Sequence, residues 1–301
     1  MEQRPDAPFG RVLTAVITPF SSDGSIDYSV FFRLVKHLSL NGSDGVVVGG
    51  TTGEAPTLSR PEKVALFSAA VDAAKSSMTV VAGVGTYDTR ESVDLAKAAA
   101  EAGVDGVMAV TPYYSRPPQA GIVEHMVTIA DATELPLMLY NIPSRTATRI
   151  ELNTLVELAG HPRITSVKDA VDDIDWSRRV IESLPEGFVV YSGSDAMTRE
   201  LVEAGAVGVV SVASHLAGVT IAQMVQAVID GDAAKAATLD DLMKPLIDAL
   251  FSEPSPMPLK AGLAAYWDTV GVPRLPLLAA REGTAEAIGH ALEAINEYRS
   301  L

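Results

Sequence analysis

Cysteine is absent from all 301 residues, which excludes disulfides, thiolate zinc sites, iron–sulfur clusters and a cysteine nucleophile. Histidine is scarce. His37, His125, His161, His215 and His290 stand at no metal-ligand spacing, and each reads as a surface or satisfied core residue, so no metal site is expected. Positive charge is also short: 23 Lys and Arg face 38 Asp and Glu, a net charge of −15. Such a surface repels phosphate backbones, so neither nucleic acid nor an anionic membrane is an expected partner, although local positive charge can still hold a small anion. No apolar run reaches the length of a membrane span, and the polar start from Met1 to Pro8 lacks an apolar signal core; a cytoplasmic protein is expected. There is no Walker lysine motif and no Gly-x-Ser-x-Gly elbow, and Gly83-Val84-Gly85 is too short to mark a nucleotide site.

What is present is a repeat of pattern. Short Val- and Ile-rich runs near residues 13–18, 45–50, 79–83, 106–111, 136–140, 163–168, 188–192 and 207–212 read as eight buried strands. Amphipathic helical segments lie between them, near 28–40, 61–75, 90–102, 122–132, 174–183 and up to Ala204, with one more between the fifth and sixth strands. Near-continuous apolar strands argue a parallel sheet covered by helices, and eight such units are the number that closes a (β/α)8 TIM barrel. An open doubly wound sheet would usually carry a Gly-rich dinucleotide turn after its first strand, and none is there. Beyond Gly218 only helices are expected, near 223–229, 233–250, 259–270 and 282–301, punctuated by Pro254, Pro256 and Pro258. The expected division is therefore a barrel over 1–220 carrying the site and a helical appendage over 221–301 packed on it.

In such a barrel the chemistry sits at the C-terminal strand ends. There the chain places Gly50-Thr51-Thr52-Gly53-Glu54, Thr111-Pro112-Tyr113-Tyr114, Tyr140 with Arg145, Lys168-Asp169 and Ser192-Gly193-Ser194-Asp195. A lysine ending a buried strand is either a solvated cap or, once desolvated, a neutral amine able to form an imine with a ketone. Tyr140, ending the preceding strand, could exchange protons with that imine. The glycines at 50 and 53 let the backbone approach a ligand, and the following N–H groups and two threonine hydroxyls can hold an anion, a reading favoured over a plain capped turn. Arg145 is the candidate carboxylate clamp, since a guanidinium binds one bidentately. Tyr113 and Tyr114 by themselves read as packing under the rim, and Asp172, Asp173 and Asp175 as a helix cap.

Taken together, Gly50 to Glu54, Thr111 to Tyr114, Tyr140-Asn141-Ile142-Pro143-Ser144-Arg145-Thr146 and Val167-Lys168-Asp169-Ala170 resemble the signature stretches of the pyruvate-dependent class I aldolase superfamily, and most closely its dihydrodipicolinate synthase family. The likeness runs from Thr18 to Arg274-Leu275-Pro276. It implies a Schiff base between Lys168 and pyruvate, with Tyr140 relaying protons and Thr51 and Tyr114 completing the relay near a contact with a neighbouring subunit. It also implies that Thr51 and Thr52 hold the pyruvate carboxylate, that Gly193 and Val210 line the pyruvate pocket, and that Arg145 binds the carboxylate of aspartate semialdehyde. The covalent imine is the electron sink, so no cofactor is implied. A homotetramer built as a dimer of dimers, serving lysine and diaminopimelate biosynthesis, completes the expectation.

Two other functions compete. Relatives that cleave sialic acid or 2-keto-3-deoxy sugar acids share Lys168 and Tyr140 but typically lack the Ser-Arg-Thr stretch, because a guanidinium facing their hydroxyl-bearing substrates would be unpaired. A non-catalytic binder would be expected to have lost one of Lys168, Tyr140, Thr51 or Tyr114. This chain departs from the family pattern in Asp169, where many synthases have Glu. It departs again in Ala55, Pro56, Arg60, Lys63 and Tyr87, which occupy the region where lysine-sensitive relatives bind lysine; Glu91 matches. Two cations there disfavour a cationic effector, so weak lysine feedback is expected.

Overall fold

Eight short parallel strands close on themselves in chain order, each paired with its sequence neighbours and the first with the last. The computed structural model describes residues 6–75 and 77–300; residues 1–5 of the polar start and Leu301, at the end of the last expected helix, lie outside them. The strands are β1 Val12–Ala15, β2 Gly45–Val48, β3 Thr79–Gly83, β4 Gly106–Val110, β5 Leu137–Asn141, β6 Ile164–Asp169, β7 Val189–Ser192 and β8 Gly208–Ser211. Around them lie α1 Tyr28–Leu40, α2 Arg60–Ala74, α3 Thr89–Ala102, α4 Gln119–Ala130, the single turn α5 Pro143–Thr146, α6 Leu152–Ala159, α7 Ile174–Ser183 and α8 Thr198–Ala204. The remaining helices are α9 Ser214–Asp230, α10 Ala233–Leu250, α11 Met257–Tyr266 and α12 Thr284–Ser300. Among the described residues no helix is long and apolar enough to cross a membrane.

Local chemistry starts the helices where the strands stop. Asp27 accepts the Val30 N–H ahead of α1, Asp88 that of Arg90 ahead of α3, and Asp173 that of Trp176 ahead of α7. Ser59 and Glu62 form a reciprocal capping box on α2, with Pro61 in its first turn. The outer faces of the strands pack against the helices in one apolar layer that includes Val46, Val80, Val107, Leu139 and Val167. A second, smaller cluster fills the barrel: Phe9, Leu13, Val47, Val81, Met108, Met138, Tyr140, Tyr191 and Val210 belong to it. Phe9 and Tyr191 plug the barrel interior, the Tyr191 hydroxyl accepting the Phe9 N–H at 3.3 Å. Gly106 makes room for this plug, because a Cβ there would lie 2.5 Å from the Phe9 ring.

One irregularity decides which way β6 faces. Leu137 pairs with Ile164, but the next residue, Met138, pairs with Ser166. The extra residue is a β-bulge, and past it the inward and outward sides exchange. Ile164 and Val167, three apart, therefore both face the helices, and Lys168 comes opposite Tyr140 on the inner side. Without the bulge Lys168 would pair with Asn141 and point outward.

Most of the expected segments are present, with β1, β2 and β8 shorter than their apolar runs. Val16 and Ile17 stay buried after the ladder ends. In the tail, α9 starts at Ser214, well before the expected 223, and leaves helical geometry only at Ala217 (φ −135°, ψ 32°). Gly218 does not end it. A Cβ at Gly218 would meet the Asn41 carbonyl oxygen at 2.3 Å, so the glycine serves close passage beyond the end of α1. The division drawn at 220 consequently falls inside a helix.

Candidate active site

At the C-terminal ends of the strands a cavity of about 220 Å³ opens, and its wall includes Gly50, Thr51, Tyr113, Tyr140, Arg145 and Thr146. Tyr140 and Lys168 are register partners on β5 and β6, both buried. The Lys168 Nζ lies 4.2 Å from the centre of the Tyr140 ring. Four polar groups of the wall, the hydroxyls of Thr51, Tyr113 and Tyr140 and the Arg145 guanidinium, have no hydrogen-bond or ion-pair partner among the described residues, and neither has the Lys168 amine. Polar groups at the wall of a concave site that the chain itself does not satisfy are the mark of a ligand site.

Each is placed by a different device. Gly49 turns the chain out of β2 at φ +68°, and the turn closes with the Glu54 N–H on the Thr51 carbonyl at 3.0 Å. Thr18 fastens the same turn by donating its hydroxyl to the Gly53 carbonyl at 2.7 Å. Arg145 rides on α5, which Thr146 ties down by donating to the carbonyls of Ile142 and Thr148. Asn141 links β5 to the segment before α6, accepting the Ile150 N–H at 3.0 Å.

The other expected residues are distributed around this centre. Thr52 is buried beside Thr51 but is not part of the cavity wall. Gly193 donates its N–H to the Asp169 carbonyl at 2.7 Å; a Cβ on it would come within 2.7 Å of Ala170, the neighbour of the Lys168 strand end. Val210 belongs to the barrel's inner cluster together with Tyr140. Tyr114 is elsewhere: at φ +72° and 94% exposed, it is not brought to the cavity of its own chain. Tyr113 takes the wall position, its ring edge-on to Tyr87 at 5.4 Å, and burial raises its hydroxyl pKa.

Two buried carboxylates flank the lysine. Asp195 accepts the Ser211 hydroxyl and the N–H groups of Val212 and Ala213. Burial raises its pKa against the lowering by these bonds and by the charge of Lys168. Asp169 points outward from β6, accepts the Ser177 hydroxyl and leaves Oδ1 without a partner. Burial pushes its pKa up to about 6. Neither role was drawn from the sequence, where the only signal was an Asp at each strand end.

Two of the five histidines are buried and hydrogen-bonded. His215 bridges the Val212 carbonyl and the Ile17 N–H, and burial lowers its pKa to about 4. His125 meets the Thr89 hydroxyl at 2.9 Å. Among the described residues no group of three His, Asp or Glu could hold a metal ion.

With this geometry in place, comparison with known proteins is specific. The profile of the dihydrodipicolinate synthetase family matches residues 8–295. The chain is 44% identical over 293 residues to a 4-hydroxy-tetrahydrodipicolinate synthase of Thermosynechococcus vestitus, covering 97% of this chain and 99% of the relative. A crystal structure of dihydrodipicolinate synthase from Bacillus anthracis superposes with a TM-score of 0.92 at 42% identity, covering 95% of this chain and 98% of the other. The enzyme from Cyanidioschyzon merolae, solved with lysine bound, superposes with a TM-score of 0.94 at 38% identity, covering 97% and 99%.

Proposed function

We infer the reaction from one premise: the chain belongs to the dihydrodipicolinate synthetase family, whose profile spans residues 8–295. It is a carbon–carbon bond-forming lyase that condenses pyruvate with L-aspartate 4-semialdehyde to 4-hydroxy-tetrahydrodipicolinate, the product named for its Thermosynechococcus relative. The observation that carries the reading to this chain's own residues is the Lys168 amine held against Tyr140 beside a cavity walled by Thr51 and Arg145.

The proposed roles follow from what each group can do. Lys168 attacks the pyruvate ketone, water leaves, and the resulting imine draws electrons from the methyl carbon. Loss of a methyl proton gives an enamine whose carbon attacks the semialdehyde's aldehyde. The semialdehyde's amine then replaces the Lys168 nitrogen, closing the ring and freeing the enzyme. Tyr140 and Thr51, both at the wall with unspent hydroxyls, carry protons through these steps. Thr51 and Thr52, with the N–H groups of their turn, hold the pyruvate carboxylate, and Gly193 and Val210 bound the same pocket. Arg145 holds the carboxylate of the semialdehyde. The covalent imine supplies the electron sink, so the proposed reaction needs neither metal nor organic cofactor.

The proposed assembly is a homotetramer built of dimers. Its support is Tyr114, whose ring stands in solvent in the single chain; a second copy facing it would receive that hydroxyl at its own relay. The proposed setting is the cytoplasm, where both substrates would be soluble metabolites.

The test is borohydride reduction in the presence of pyruvate, followed by peptide mapping and assays with aspartate semialdehyde and with 2-keto-3-deoxy sugar acids. An adduct on Lys168 and turnover with the semialdehyde are expected. Absence of an adduct would overturn the mechanism, and an adduct with turnover of sugar acids alone would reassign the substrate.

A further inference from the structure

The turn that carries Thr51 ends in a residue with no place in the chemistry. Glu54 is a non-glycine residue at φ +57°, a left-handed conformation that persists only where the surroundings impose it. It is 2% exposed. Its Oε1 lies 2.6 Å from the Nζ of Lys260 on α11, and its Oε2 accepts the backbone N–H of Arg274 at 2.8 Å. Both side chains are almost fully shielded from water, so this is a buried ion pair.

Both cations also sit on Phe20, with Lys260 Nζ 4.2 Å and the Arg274 guanidinium 4.3 Å from the ring centre. Two residues earlier in the chain, Thr18 bonds the Gly53 carbonyl of the same turn. Arg274 continues across it to the Thr57 carbonyl at 3.0 Å and to Glu62, a bond that holds the Glu62 carboxyl down to about 2. Glu54, Lys260 and Arg274 are all absent from the cavity wall. A buried ion pair of this kind adds little net stability over a well-packed apolar pair, but its broken form is heavily penalised.

We propose that Glu54 is a positioning residue for the pyruvate subsite: its buried pair with Lys260 and its bond from the Arg274 N–H fix the Gly50–Glu54 turn, and so make the C-terminal helices a working part of the active site. This deepens the reading above and rests on it for the identity of the ligand. The turn is closed by a bond between Glu54 and Thr51 themselves, so a shift of one is a shift of the other.

The experiment removes the charge without leaving a lone ion: Glu54→Gln combined with Lys260→Met, compared with the unsubstituted protein. Melting temperature, pyruvate KM, rate of borohydride trapping and amide exchange over residues 50–54 are measured on both. The expected result is a melting temperature close to that of the unsubstituted protein, faster exchange confined to the turn, and a pyruvate KM raised by about tenfold or more, since misplacement by a fraction of an ångström is costly in a bound geometry. An unchanged KM with unchanged exchange would overturn the proposal. If the double variant fails to fold, Lys260→Arg keeps the cation with a different shape; it is expected to raise KM at an unchanged melting temperature, and an unchanged KM would again overturn it. Failure of the unsubstituted protein to trap pyruvate would overturn the assigned reaction instead, while the exchange measurement still decides the brace.

Discussion

The amine of Lys168 lies 4.2 Å from the ring centre of Tyr140, its register partner on the neighbouring strand. The ring thus guides the lysine, while the hydroxyl at its far end bonds to nothing in the chain among the described residues. Ring and hydroxyl should be separable by substitution. Tyr140→Phe keeps the packing and is expected to leave the melting temperature unchanged while kcat falls by about 10²–10⁴, the range of a lost proton relay. Stopped-flow turnover beside thermal melting checks this; equal loss of both would assign Tyr140 to structure alone.

Arg145 stands at the cavity wall with no anionic partner in its own chain. Arg145→Ala should weaken the semialdehyde by about 2 kcal/mol, the loss of a charge-assisted hydrogen-bonded contact, which is roughly thirtyfold in KM. Pyruvate trapping on Lys168 should stay within about twofold, since a uniform loss of binding for one substrate leaves the other's chemistry intact. A matching drop in trapping would move Arg145 to the pyruvate side.

Much of this site was visible in the residue order because its parts fall at strand ends, where an apolar run gives way to polar residues. Tyr140, Lys168 and the Gly50–Glu54 turn announce themselves that way. Several elements coincide with their expected bounds, among them α1, β3, α7 and α10, each marked by an Asp cap or a sharp apolar edge. Other features had no local signal. The bulge between Ile164 and Ser166 depends on pairing with β5, and nothing within β6 marks it. The Glu54–Lys260 contact joins segments far apart in the chain, and a lysine within an apolar helix stretch looks like any solvated lysine. Tyr114 illustrates the converse: the motif is plain, yet the ring stands 94% exposed and away from the cavity of its own chain.

Asp169 supplies a pH test of opposite sign to the usual carboxylate. Its pKa is about 6 in the fold against 3.8 ordinarily, so the native state holds more protons between these values and loses stability as pH rises through the window. Asp169→Asn, which stays neutral, should be gaining on the unsubstituted protein from about pH 4 to 6 and level off above, at a plateau of order 3 kcal/mol. The difference between the two proteins is the quantity to follow, because His215, held near 4 in the fold, changes stability in the other direction over an overlapping range. A constant difference from pH 4 to 8 would refute the burial argument.

The region to which the sequence resemblance assigns lysine binding is occupied here by charge pairs. Arg60 lies 3.1 Å from Asp94 and 3.9 Å from Glu91, the one carboxylate there that matches the pattern. With Lys63 also nearby, a lysine ammonium would displace an existing cation before gaining its own contact. Inhibition by lysine is expected to stay weak; half-maximal inhibition at sub-millimolar lysine would show that the pairs open readily.

The pairing of β1 with β8 has a consequence for the chain during its synthesis. A ribosome releases Val12–Ala15 first, but that strand gains its second neighbour only when Gly208–Ser211 has followed. Until then every growing intermediate has two open sheet edges, and an unpaired edge is a template for pairing with another chain. The finished ring has none. The hazardous period of this protein's life is therefore its birth, and chaperone demand should fall sharply once the eighth strand emerges.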